Sequence, residues 1–202
     1  MASILNDLAQ DVAALLPRCP VPAIEQALAA GYRDLCRRAY VWSAEIYFDR
    51  TAEHRKYTVP QKFTAEVVQC DGLFIRTAQD VDEERIGRLV AISDYRLFIE
   101  GGKLKIELQQ ESTDTQANGY AVRLVLSPGR NSDKVDAPEV FKEYAEAIKG
   151  YAIHQLASRR NRPWSDKDLA VEQRKEFNRG IGRGLNRRIT RYGQGTGVVT
   201  LG

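Results

Sequence analysis

Chemistry needs groups that converge, and groups able to act as base, nucleophile or metal ligand are sparse in this 202-residue chain. Its two histidines, His54 and His154, stand 100 positions apart. Imidazole is the commonest general base and metal ligand, so two isolated rings argue against both roles. His54 lies among charged residues and reads as solvent-exposed; His154, beside Tyr151, reads as a packing or interface residue. Asp80, Asp82, Glu83 and Glu84 could gather a cation, but the glycine and terminal glutamate of an EF-hand loop are missing. A solvated acidic loop over Asp80–Arg85 is the plainer reading. Cys19, Cys36 and Cys70 are odd in number without C-x-x-C spacing, so they read as reduced thiols of a cytosolic fold, with no disulfide and no zinc site. Neither a phosphate-binding G-x-x-x-x-G-K-[ST] loop nor a G-x-S-x-G nucleophile elbow occurs. The expectation is a protein without catalytic residues, metal or cofactor.

Charge offers more than catalysis does. The whole chain carries a net +3, but Gln155–Tyr192 alone carries +7. Lys175, Arg179, Arg183, Arg187 and Arg191 recur every fourth residue, and so do Phe177, Ile181, Leu185 and Ile189, offset by two. Two residues turn a helix by about 200°, so the ladders take opposite faces, and the basic one extends about 24 Å. A cationic surface follows, suited to an acidic partner or to phosphates.

The elements that must position this face fall into three blocks. Ile4, Leu5, Leu8, Val12, Leu15 and Leu16 form an amphipathic stripe that stops before Pro17. A second stripe, Ile24 to Trp42, starts after Pro20-Val21-Pro22, where a first-turn proline is tolerated, and pairs with the first as a helical hairpin. From Ser43 the period becomes two. Asp71-Gly72, between Phe63–Cys70 and Leu73–Arg76, suits a hairpin turn, as does Gly101-Gly102 between Tyr95–Ile99 and Leu104–Leu108. A further strand follows Asn118-Gly119, after a flexible loop over Ser112–Gly119, and ends at Pro128-Gly129; together the strands predict one small, mostly antiparallel sheet. Helix returns at Asp136, which stands in capping-box relation to Glu139, with Phe141, Tyr144, Ile148, Ala152 and Leu156 on one face. Ser165 and Asp168 have cap spacing for the final helix.

Gly180, Gly182 and Gly184 sit inside that last helix, each costing about 1 kcal/mol against alanine. Either another chain packs over them or the segment is partly unfolded before assembly, and both readings require a partner. Tyr192–Gly202 is glycine-rich, uncharged and too short to span a bilayer, so it reads as an arm that is free or ordered by a partner. Met1–Gln10 lacks a basic flank and contains Asp7, so neither a secretory leader nor a membrane segment is expected. The predicted architecture is α+β: a helical hairpin over 1–42, a β insertion over 43–136, helices completing an antiparallel bundle over 137–191 and a flexible arm over 192–202.

Several stretches fit one family together. Arg18-Cys19-Pro20-Val21-Pro22-Ala23-Ile24, with Ala27, Leu28, Tyr32, Leu35-Cys36-Arg37 and Trp42, resembles the opening of tailed-phage head-to-tail adaptor proteins. These are also called head completion or connector proteins and include the tail tubular protein A group. Arg162-Pro163-Trp164-Ser165-Asp166, Leu169-Ala170 and Phe177-Asn178-Arg179-Gly180-Ile181 resemble the family's last helix, and Tyr57-Thr58-Val59-Pro60 its β entry.

The resemblance implies a structural virion protein that forms a ring, commonly twelve-fold, beneath the portal. Such a ring extends the DNA channel, carries the tail nozzle or stopper and serves genome ejection. It places the chain in the virion neck after assembly in host cytoplasm, with genomic DNA passing through and no sequence-specific contact. Portal binding would then fall to Arg179, Arg183, Arg187, Arg188, Arg191, Tyr192, Val198, Val199 and Leu201. The alternation of Val198, Val199 and Leu201 around Thr200 suits strand addition or an apolar groove. Ring closure needs head-to-tail contacts, for which Tyr40, Trp42, Tyr47 and Trp164 are candidate anchors, with core packing the competing reading. The alternative is a DNA-binding protein that lays its basic final helix on phosphates.

Overall fold

The computed structural model describes residues 2–60, 65–129, 138–192 and 199–200. In chain order they form α1 (Ala2–Leu15), α2 (Val21–Ala39), β1 (Ser43–Arg50), β2 (Lys56–Thr58), β3 (Glu66–Ile75), α3 (Ala78–Asp82), β4 (Arg88–Leu89), β5 (Tyr95–Glu100), β6 (Lys103–Leu108), β7 (Gln116–Ser127), α4 (Pro138–Glu143), α5 (Ala145–Ala157), α6 (Lys167–Tyr192) and β8 (Val199–Thr200). Two compact units result. One comprises residues 1–42 and 127–193, the other 43–126 and 194–202. Among the described residues, no helix is long and apolar enough to cross a membrane.

The helical unit is built by both ends of the chain. Leu8, Val12 and Leu16 bury the α1 stripe, and Ile24, Leu28, Leu35 and Ala39 that of α2. Helix α2 begins after an extended Pro20 and carries Pro22 in its first turn. It ends sooner than the stripe to Trp42 predicts. Tyr40 takes the left-handed conformation (φ 53°, ψ 36°) and its N–H donates to the Cys36 carbonyl at 3.1 Å, which closes the helix. Phe141, Ile148, Ala152 and Leu156 share one buried side as expected, but Tyr144 (φ −110°, ψ 17°) divides them between α4 and α5. Asp136 lies outside the described residues. The final helix is capped by Asp166, not Ser165: the Asp166 carboxylate accepts the Leu169 N–H at 2.9 Å, while the Ser165 hydroxyl is committed to the preceding turn.

The helices approach closely where glycine removes a side chain. A Cβ on Gly150 would stand 2.9 Å from the Gln173 carbonyl oxygen, and one on Gly180 2.2 Å from the Cβ of Ala147. On Gly184 it would meet Val41 Cγ1 at 2.6 Å and Ala39 Cβ at 2.8 Å. The segment of α6 that was expected to await another chain therefore packs on α5 and on the end of α2. Gly182 differs, with nothing within 4 Å among the described residues.

The β unit holds two sheets rather than one. The larger has the order β1-β7-β3-β4, with β8 on β3; the smaller has the order β2-β6-β5. Pairs β1–β7, β3–β4, β3–β8, β2–β6 and β5–β6 are antiparallel. The Gly101-Gly102 hairpin forms as predicted, with positive φ at both glycines (59° and 73°), the requirement of a two-residue turn whose twist suits its strands. Asp71-Gly72 makes no turn, because β3 runs straight through it. Asp71 is buried and accepts from Gln69 Nε2 at 2.8 Å, and Gly72 is where Leu89 of β4 comes so near that a Cβ would sit 2.6 Å from its Cδ1. Of the strand expected from Phe63, Phe63 itself lies outside the described residues, and β3 starts at Glu66.

Two predicted loops are ordered elements. Asp80 caps α3 reciprocally with Thr77, so the acidic stretch begins as a helix. Gln116–Gly119, expected to be flexible, belongs to β7, where the register slips between Phe48 and Arg50. Asn118 (φ 50°) bulges there, and its N–H is held by Asp49 Oδ1 at 2.9 Å. Beyond the bulge β7 is buried on both faces from Tyr120 to Leu126, Arg123 excepted. The sheets share an aromatic cluster, with Tyr57 of β2 against Phe48 and Tyr120 of β1 and β7 at 5.9 and 5.1 Å between ring centroids.

All three cysteines are free and buried. Burial pushes the thiols of Cys36 and Cys70 up to about 12. The folded state thus favours the neutral thiol, a contribution fully present below pH 9 and lost as pH rises toward 12. For Cys19, burial raises the pKa and the nearby charge of Arg159 opposes it. We expect iodoacetamide at pH 8 to spare Cys36 and Cys70 in the native protein, to reach Cys19 first, and to label all three in urea, read by mass spectrometry. Rapid labelling of Cys36 in the native state would show that the bundle core opens.

Candidate functional site

Helix α6 presents the predicted face. On its inner side Phe177 and Ile181 are buried and Leu185 is half-buried, while Ile189 is 46% exposed, so the apolar ladder leaves the core in its last turn. Phe177 packs edge-on to Tyr151 of α5 at 4.9 Å, and Arg38 of α2 lies 5.7 Å over the Phe177 ring. On the outer side Lys175, Arg179, Arg183 and Arg187 are exposed. The two ladders do face opposite ways, as their two-residue offset requires.

The outer face is less cationic than its spacing implies. Arg179 is paired with Glu176 one turn earlier, and Arg187 with Glu143 of α4. Lys175 and Arg183 have no carboxylate partner among the described residues, and Arg183 leans over the Tyr144 ring at 5.9 Å. Arg188 is half-buried with its guanidinium 4.4 Å over Tyr40. Exposed ion pairs contribute about 1 kcal/mol or less, so Arg179 and Arg187 remain exchangeable toward a stronger acidic surface. The side chains of Arg191, Tyr192 and Val199 and the whole of Val198 and Leu201 lie outside the described residues.

Tyr192 ends α6 rather than starting the arm. At Val199–Thr200 the arm is not free: these residues pair with Cys70 and Gln69 of β3 in their own chain. The expectation that only a partner orders this segment fails there, because the β3 edge offers the missing hydrogen bonds in cis.

The aromatic anchor candidates divide. Trp42 and Trp164 are half-buried and pack on the helical core, and Tyr40 forms the α2 terminus. Tyr47 alone is exposed; its ring lies 4.4 Å from the Arg76 guanidinium and its hydroxyl donates to Glu45 at 3.0 Å. Both histidines fit their simplest readings. His54 is exposed, and His154 joins α5 to α6 through Nδ1, 2.9 Å from the Ala170 carbonyl oxygen.

Sequence spacing gave no sign of a polar cluster in the β unit. Arg50 is buried and donates to Asp114 at 2.7 Å, and its guanidinium lies 5.7 Å from the Tyr120 ring. The Ser112 hydroxyl stands 2.9 Å from that of Tyr57 and 2.7 Å from that of Tyr120. Arg50, Ser112, Asp114 and Tyr120 border a cleft of about 340 Å³ that is also lined by Arg88, Asp94 and Glu111. Its lining, among the described residues, includes no histidine, cysteine or lysine, and Asp114 is already committed to Arg50. The arrangement ties loop to strand and supplies no base beside the serine. Arg76 works similarly: buried, it donates to the carbonyls of Arg85, Asp80 and Asn118.

No protein-family model matches the chain, and no curated protein matches it. Among solved structures, it is similar to a chain of "Neck of empty GTA particle computed with C6 symmetry", with a TM-score of 0.29 and 14% identity over 82% of this chain and 79% of that one. It is also similar to a chain of "Virion of native gene transfer agent (GTA) particle", with a TM-score of 0.27 and 16% identity over 87% of each chain. With TM-scores below 0.5, neither likeness fixes a fold or a role for this chain.

Proposed function

We propose that this chain is a structural protein of the virion neck. As a head-to-tail adaptor it would form a homo-oligomeric ring beneath the portal, extend the DNA channel and give the tail nozzle or stopper its platform. One observation supports this reading above the rest: the two ends of the chain build one helical unit, and the β unit is inserted between them in the sequence, the arrangement that the motifs at Cys19-Pro20 and Pro163-Trp164 imply.

In this reading the portal contact runs along the outer face of α6. Lys175 and Arg183 attract an acidic surface, Arg179 and Arg187 trade their intrachain partners for it, and Arg188, Arg191, Tyr192 and the terminal residues continue the contact. Long-range attraction of this kind speeds encounter and weakens as salt rises. Subunits join head to tail, with Tyr47, the exposed one among the four candidate anchors, at the contact.

Cryo-electron microscopy of the purified protein mixed with portal rings tests the reading. A ring of this chain stacked on the portal is the expected result, and absence of any complex at low salt would overturn it. Deleting residues 193–202 should leave the helical unit folded and abolish attachment. Charge reversal of Lys175 and Arg183 should slow attachment most at low salt; an equal loss at high salt would exclude a long-range electrostatic contact.

A further inference from the structure

Beside the α6 ladder, the C-terminal quarter carries a second group of exposed basic side chains, in the turn from α5 to α6. Arg159, Arg160 and Arg162 are all exposed, and none is engaged by a carboxylate among the described residues. The turn is ordered from within. The Arg159 N–H donates to the Leu156 carbonyl at 3.2 Å, and the Asp166 N–H closes the loop onto the Ala157 carbonyl at 3.0 Å. Ser165 sits at the centre: its hydroxyl oxygen accepts the Arg162 N–H at 3.1 Å and its proton goes to the Arg159 carbonyl. Asn161 holds a positive φ of 59°, a conformation that asparagine tolerates better than most residues. Trp164 packs on the helical core and carries the Arg162 guanidinium 5.9 Å over its ring.

The acid next in sequence does not pair with the turn. Asp166 spends its carboxylate on the N-terminus of α6. The same end of the helical unit carries Arg18, exposed and at φ 73°, next to Cys19, whose thiol feels the charge of Arg159.

We propose that the Arg159–Arg160–Arg162 turn is a binding site for the phosphodiester backbone of nucleic acid, read without regard to sequence. Three guanidiniums within four residues match a polyanion that carries one charge per about 1.7 Å of duplex axis. Arginine presents a planar fork of donors to phosphate, and a preordered turn loses little freedom on binding. Ser158 to Pro163 is exposed throughout and, Pro163 apart, polar or charged, which suits phosphate contacts, since these need only charge and donors. Base reading is not built in, since the turn projects no helix or strand for a groove.

The site goes beyond the ring reading and is testable on the isolated chain. Fluorescence anisotropy with a short labelled DNA duplex, titrated from 50 to 200 mM salt, compares wild type with R159Q/R160Q/R162Q and with K175Q/R179Q/R183Q. Removal of three phosphate contacts should flatten the log–log salt slope by about 2.7 and weaken binding at low salt more than tenfold. The α6 variant should bind within about threefold of wild type. Thermal melts matching wild type establish that both variants, altered only at exposed positions, are folded. Equal loss in the two variants would overturn the site, and so would wild-type binding by the turn variant. Failure of the wild type to bind duplex at 50 mM salt, with binding to poly-glutamate instead, would overturn it in favour of an acidic protein surface.

Discussion

Gly180→Ala is expected to destabilise the helical unit by about 2 kcal/mol, although alanine is the better helix former. The new Cβ would stand 2.2 Å from the Cβ of Ala147. Both atoms are fixed to helical backbone and cannot rotate away, so α5 and α6 must separate. Overpacking of this kind costs about 1–3 kcal/mol, and a Cβ–Cβ approach belongs at the upper end. Helix propensity returns about 1 kcal/mol, which leaves the net loss. Gly182→Ala should have the opposite sign and stabilise by about 0.5–1 kcal/mol, because its Cβ meets nothing within 4 Å among the described residues. Adding Ala147→Gly to Gly180→Ala should recover much of the loss, with a coupling of about 1–2 kcal/mol. Urea denaturation followed by circular dichroism checks all three. Equal effects at positions 180 and 182 would mean that α6 does not pack as described.

Phe141→Ala should cost about 4 kcal/mol, the largest single loss expected in the molecule. Its ring is fully buried and meets Tyr32 edge-on at 5.2 Å with an interplanar angle of 84°. Truncation forfeits the burial of the ring, opens a cavity that the surrounding helices cannot close, and removes a favourable aromatic geometry. Ile189→Ala, at a position already 46% exposed, should change stability by less than about 0.5 kcal/mol. A Phe141→Ala loss as small as that of Ile189→Ala would place Phe141 outside the cooperative core. Neither experiment involves a portal, so both stand apart from the ring reading.

The glycine substitutions concern the segment on which the functional reading rests, α6. The three glycines of α6 looked like an appeal for another chain, and two of them are answered by Ala147, Ala39 and Val41 of the same chain. What α6 offers a partner is its outer face and the residues beyond it, and part of that face is occupied by Glu176 and Glu143. The arginines of the preceding turn are not so occupied.

Local signals settled a good part of this protein. The three-four spacing of Leu8, Val12 and Leu16 and of Ile24, Leu28 and Leu35 identified α1 and α2, because a helix turning every 3.6 residues must place them on one side. Gly101-Gly102 marked a hairpin, because positive φ at two successive residues is required there. The two-residue offset of the α6 ladders determined that charge and core lie on opposite faces. Signals with more than one physical use were decided by packing. Asp71-Gly72 serves a turn or a close approach equally well, and only the arrival of Leu89 selects the second. Mid-helix glycine admits a neighbour in cis or in trans, and α5 supplies the neighbour. Charge depends on distance through space rather than along the chain, so Arg187 meets Glu143 from 44 positions away while the Arg159–Arg162 turn, flanked in sequence by Asp166 and Asp168, keeps its arginines free of them.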